Sequence, residues 1–84
     1  MNDFDKTITF SIHEDDREAQ RKALLRNVYD ALSEKGYSAI EQMVEYLLTE
    51  EPTYITNHKN ARSLICKVDR DDILNTLVRN CLDI

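Results

Sequence analysis

Apolar residues recur along most of this chain at spacings of three and four, the repeat of an α-helix, and only the first dozen residues depart from it. After Glu14-Asp15-Asp16, acidic residues that suit a helix N-terminus, the positions Ala23, Leu24, Val28, Ala31 and Leu32 predict a first helix over about 16 to 34. Gly36, the single glycine, reads as its C-terminal cap, because glycine enters the left-handed region without a Cβ penalty. Ser38 stands three before Glu41, the spacing of a capping box, and Ile40, Met43, Val44, Leu47 and Leu48 form one stripe of a second helix over about 39 to 49. Glu50-Glu51-Pro52 ends that stripe, since proline disfavours a helical residue before it and cannot donate to a continuing helix.

Thr53-Tyr54-Ile55 reads as a connector, and Thr56 or Asn57 as the cap of a third helix with Ala61, Leu64, Ile65 and Val68 inward. Asp69, with Asp72 three later, opens the last helix. There Ile73, Leu74, Leu77, Val78, Cys81 and Leu82 make a continuous apolar face, expected to be covered in the core or across a subunit boundary.

Residues 1–13 alternate instead, Thr7-Ile8-Thr9-Phe10-Ser11-Ile12 having strand period. A lone short strand has no partner in this sequence. The segment is therefore expected to be a flexible tail, an extended segment docked by Ile8, Phe10 and Ile12, or an edge paired with another chain, with the hydroxyls of Thr7, Thr9 and Ser11 on the accessible side. The expected fold is all-α, a compact bundle of about four to five helices over 14–84 preceded by an extended N-terminal segment over 1–13.

Eighty-four residues make one domain and bury only roughly 60 to 65% of the unfolded surface, so a second copy covering apolar surface adds stability and a homodimer is expected. Sixteen acidic against eleven basic side chains leave a net charge of -5, which repels a phosphate backbone and argues against nucleic acid. No apolar run approaches the roughly 20 residues of a membrane span, and MNDFDKT lacks the features of a signal peptide, so a cytoplasmic location is expected. Cys66 and Cys81 have neither zinc-site spacing nor a second pair, and read as reduced thiols acting as small core residues.

Candidate chemistry is sparse. His13 and His58 lack metal-ligand spacing, and no glycine-rich loop exists to hold a nucleotide, so neither metal nor cofactor is expected. Cys66 with His58 as base fails on distance, eight residues along one helix being about 12 Å. The one basic stretch, His58-Lys59-Asn60-Ala61-Arg62 with Lys67 and Arg70, offers Lys59 and Arg62 as contacts for a phosphate or an acidic partner. The alternative use of these cations is pairing with the surplus carboxylates.

Several blocks occur in order at unbroken spacing: Glu34-Lys35-Gly36-Tyr37, Ile40-Glu41-Gln42-Met43-Val44, Tyr46-Leu47-Leu48, Pro52-Thr53-Tyr54-Ile55, Asn60-Ala61-Arg62-Ser63-Leu64-Ile65, Arg70-Asp71-Asp72-Ile73 and Leu77-Val78. Together they resemble the IreB family of regulatory phosphoproteins over about residues 7 to 82. The resemblance implies a small homodimeric helical protein without enzymatic activity. It also implies phosphorylation on an N-terminal threonine by a membrane-bound Ser/Thr kinase, reversed by a cognate phosphatase, in the response to cell-wall stress and cephalosporins. Thr7, followed by Phe10, matches the family's Thr-x-x-Phe pattern, whereas Phe4 stands where relatives carry a second threonine, leaving Thr9 as the other acceptor. Glu45, Cys66 and Asn80-Cys81 depart from the family's usual glycine, basic residue and Tyr-Tyr. The function expected is a phosphorylation-controlled regulator acting on a downstream protein by contact; the competing reading is a constitutive adaptor whose helical dimer surface works without modification.

Overall fold

The structure, a computed structural model, describes the backbone from residue 2 onward and the side chains from residue 16 onward. The first helix, α1 (Asn2–Glu34), extends well beyond the apolar repeat that predicts it, and no glycine or proline precedes Gly36 to stop it. A helix satisfies its own backbone, whereas an isolated strand needs a neighbour to pair with, and no strand occurs among the described residues. Residues expected to be extended are therefore helical from Asn2. The side chains of Thr7, Thr9, Ser11 and their apolar neighbours lie outside the described residues.

Gly36 ends α1 as the sequence predicts. It sits at φ 83°, with its N–H bonded to the Ser33 carbonyl at 3.0 Å and the Tyr37 N–H to the Leu32 carbonyl at 3.0 Å, the paired bonds of a Schellman cap. α2 (Ala39–Thr49) follows. Ser38 enters it in an extended conformation but makes no side-chain cap bond, so the capping box read from Ser38 and Glu41 does not form; the Ser38 carbonyl accepts from Gln42 N–H instead. Glu50, left-handed at φ 58°, closes α2, and the Glu51 carboxylate accepts from the Thr53 hydroxyl at 3.0 Å to start a 3₁₀ turn at Pro52–Tyr54.

The third helix is shorter than its pattern predicts. Lys59 and Asn60 both adopt left-handed backbone, at φ 53° and 61°, which breaks the stretch into a 3₁₀ turn at His58–Asn60 and a helix α3 confined to Ala61–Cys66. The cap of α3 is Asn60 rather than Thr56 or Asn57; Asn57 instead precedes the 3₁₀ turn, where the Thr56 hydroxyl accepts from His58 N–H at 3.2 Å. α4 (Arg70–Leu82) starts after Asp69, whose backbone carbonyl, rather than its side chain, supports the first turn.

α1 is the spine against which the other helices pack. Leu25, Val28, Ala31 and Leu32 from α1 meet Ala39 and Tyr46 of α2, Ile55 of the connector, Ala61 and Ile65 of α3, and Ile73 of α4 in one core. Leu64 and Val68 are half-buried, in line with the inward face expected of the third helix.

Three faces differ from the expected ones. Ala23 is exposed and Leu25 takes its place, because the inward line of α1 runs through Arg21, Leu25, Val28 and Leu32. In α2 the buried residues are Ala39 and Tyr46, while Ile40, Val44 and Leu48 point out at 63%, 46% and 68% exposure. The Tyr46 ring accounts for that rotation: it is the largest apolar surface on the helix, and burying it at the α2–α3 junction also brings its hydroxyl to Cys66 Sγ at 3.8 Å. In α4, Ile73 and Thr76 face the core, and Leu74, Leu77, Val78, Cys81 and Leu82 face outward. Cys66 is exposed as well, so neither thiol is a core residue.

Candidate functional site

The basic stretch, the face of α4 and the face of α2 are the three surfaces on which this fold concentrates chemistry. In the first, Glu34 is the organising residue. It lies in the last turn of α1, where the helix dipole disfavours a carboxylate, and the Lys59 ammonium and the His58 imidazole of the His58–Asn60 turn offset that placement. His58 Nε2 lies 2.8 Å from Glu34 Oε1, and Lys59 Nζ lies 3.0 Å from Glu34 Oε2. These hydrogen bonds, first to His58 and then to Lys59, hold the Glu34 carboxyl below its ordinary value of 4.5. Left-handed backbone at Lys59 aims its amine back at α1 and off the side of α3 that carries Arg62 and Cys66. Arg62 donates through Nε to the Ile55 carbonyl at 2.9 Å, tying the connector to α3. Lys59 and Arg62, read from the sequence as contacts for a phosphate, are three residues apart in the chain but serve separate intramolecular bonds.

His58 and Cys66 are not on one helix. His58 pairs with Glu34, and Cys66 receives the Tyr46 hydroxyl. Burial, followed by the Cys66 contact, pushes the Tyr46 hydroxyl up to about 12. No group of three or more His, Cys, Asp or Glu side chains among the described residues is arranged to hold a metal ion.

The second surface is α4. Leu77, Cys81, Leu74, Val78 and Leu82 follow one another around the helix as a band that the described residues leave exposed, from 40% at Leu74 and Leu77 to 60% at Leu82. A shallow hollow of about 340 Å³ runs along its edge, lined by Asp71, Leu74, Asn75, Val78 and Arg79. Of the face expected to be core or interface, Ile73 alone is core.

The third surface is the outward strip of α2, where Tyr37 precedes Ile40, Val44 and Leu48 at one-turn intervals. Sequence periodicity identifies these residues as apolar and helical but does not separate the covered edge of the stripe from the bare one. Glu34 is the residue of the basic surface that the pattern reading misses, although an acid in the last turn of a helix, unfavourable against the dipole, is itself a signal of a compensating partner.

No helix among the described residues is long and apolar enough to cross a membrane. Residues 5–83 match the family model described as IreB regulatory phosphoprotein.

Proposed function

This chain belongs to the IreB family of regulatory phosphoproteins, and from that premise we propose that it is a non-enzymatic cytoplasmic regulator, switched by phosphorylation of its N-terminal segment, that acts by protein contact in the response to cell-wall stress and cephalosporins. Thr7 is the acceptor in this reading, with Thr9 as the second choice. A membrane-bound Ser/Thr kinase adds the phosphate and a cognate phosphatase removes it. Residues 1–13, which enter α1 at Asn2, form the regulated segment in this reading, and 14–84 form the part of the helical domain that meets the downstream protein.

The observation that carries the reading, beyond family membership, is the amount of apolar surface on α2 and α4 that a chain of this size leaves uncovered. Such surface is suited to contact with other chains. The α4 band fits a second copy. In an antiparallel pair of α4 helices, Asp71 of one copy would approach Arg79 of the other, which also meets Glu18 of its own chain at 3.6 Å, along the rim of the band, so an acidic and a basic edge residue would face one another. A phosphate on Thr7 adds roughly -1.5 to -2 charges to a segment already holding Asp3 and Asp5, with Glu14 just beyond it, and repulsion would then weaken its docking. Capture of the phosphate by Lys59 is the less favourable outcome, because Lys59 must first leave Glu34.

Incubation of the full chain with the kinase, followed by mass-spectrometric mapping, tests the assignment. Phosphate on Thr7, lost in Thr7→Ala, is the expected result. Undiminished incorporation in Thr7→Ala would move the acceptor to Thr9 or Ser11, and no incorporation in the unaltered chain would favour the constitutive adaptor, whose binding faces on α2 and α4 need no modification.

A further inference from the structure

We propose that the outward strip of α2, formed by Ile40, Val44 and Leu48 with Tyr37 at its head, docks an amphipathic helix of another protein that carries basic side chains along the edge of its apolar face. The strip is straight and regular. Its three aliphatic residues repeat at intervals of four, spanning about 12 Å of helix, and each is more than two-fifths exposed. Tyr37 extends the line beyond the N-terminus of α2 at 51% exposure. Side chains spaced in this way suit the i, i+3, i+4, i+7 anchors of a helix laid alongside.

Charge defines the occupant. Glu41 and Glu45 border the strip on its solvent side, and α2 contains no basic residue. Neither carboxylate is part of an ion pair among the described residues, unlike Glu50, which meets Arg70 at 3.6 Å. A second copy of this chain is a poor occupant. An antiparallel α2 pair would place the Glu41 and Glu45 edges side by side, and a parallel pair would leave them without a countercharge. The α4 band has acidic and basic residues on one rim and so has the self-complementary character that α2 lacks. A partner with Lys or Arg beside its apolar face satisfies both features of the α2 strip. This inference deepens the reading of the chain as a regulator acting by contact, and its test uses unphosphorylated protein, so its outcome is separate from that of the Thr7 assignment.

The probe is a synthetic helical peptide of about 18 residues with Leu along one face and Lys on both edges, compared with the same peptide carrying Glu in place of Lys. Amide shifts of the full-length chain should move over residues 37–48 with the Lys peptide. The Glu peptide should bind at least about tenfold more weakly, and an Ile40→Ser, Val44→Ser double variant should lose about tenfold or more in affinity with its thermal unfolding unchanged. With Glu41 exposed and Glu45 partly so, a Glu41→Lys, Glu45→Lys variant is a second check, expected to reverse the preference between the two peptides. Equal binding of both peptides, shifts that map to α4 or α1, or a fall in sedimented mass in the Ile40→Ser, Val44→Ser variant would each overturn the proposal, the last by assigning the strip to a second copy.

Discussion

The Arg21 Nε donates a 2.8 Å hydrogen bond to the Thr76 hydroxyl, which is fully buried and is the one polar side chain in the described core. This bond fastens α4 to α1 at a point where aliphatic packing is thin, since Ile73 is the only buried apolar residue that α4 supplies. The two partners are not equivalent. Arg21 is half-buried and water can replace its lost acceptor, whereas Thr76 has no access to water. Arg21→Met should therefore cost about 1–3 kcal/mol by stranding a buried hydroxyl, and Thr76→Val, which removes the hydroxyl while keeping the shape, should cost less. Urea unfolding of the two variants tests the order; a larger loss in Thr76→Val would refute it.

Gly36 gives a second expectation. A Cβ built there meets nothing within 4 Å, so substitution is opposed by the backbone alone, at φ 83°. Gly36→Ala should cost about 1 kcal/mol or somewhat more, and Gly36→Asn less, because asparagine tolerates left-handed backbone better. Thermal unfolding of both variants measures the difference.

Helix order and the stop at Gly36 are legible in the sequence because they depend on local chemistry: spacing, cap residues and the two helix breakers, Gly36 and Pro52. What periodicity leaves open is the direction each stripe faces. The α2 pattern contains Ile40, Met43, Val44, Leu47 and Leu48, and nothing local reveals that Tyr46 rotates the helix until only Met43 and Leu47 of these are partly covered. Likewise, the spacing of Ala61, Leu64, Ile65 and Val68 identifies the inward side of the third helix, but the left-handed pair Lys59 and Asn60 that shortens it follows from the closure onto Glu34, a contact 25 residues away in sequence. The alternation at Thr7–Ile12 has strand period, but a strand needs a neighbour to pair with, and a helix that satisfies its own backbone takes the segment instead.

Glu34 sets a pH dependence. Its carboxyl is held below the ordinary 4.5 by His58 and then Lys59, so the folded state binds the proton less readily than the unfolded chain does. The stabilisation is fully present above the unfolded value and is lost as pH falls through the lowered folded value. Glu34→Gln should remove that part of the acid sensitivity while leaving the neutral-pH fold intact, since the pair is open to solvent. Denaturation midpoints measured from about pH 6 down to pH 3 should converge for the two proteins at the acid end. Parallel curves across the range would show that Glu34 contributes nothing.

The α4 helix allows core and interface to be separated with two substitutions four residues apart. Ile73 is fully buried within the chain, whereas Leu77, one turn further along, is 40% exposed. Ile73→Ala removes aliphatic volume from the only buried apolar residue of α4 and should cost about 2–5 kcal/mol at any protein concentration. Leu77→Asp places its carboxylate in water if the chain is alone, but inside a contact between two α4 bands if the proposed dimer forms. The first variant should therefore lower the unfolding midpoint. The second should shift the sedimented mass from about twice 9.8 kDa to 9.8 kDa, while the isolated subunit retains its helical spectrum. The antiparallel arrangement adds a finer check, because Asp71→Arg would meet Arg79 of the second copy and weaken the dimer, and Arg79→Asp combined with it should restore association. An unaltered chain that sediments as a monomer at all concentrations would remove self-association as the use of this band.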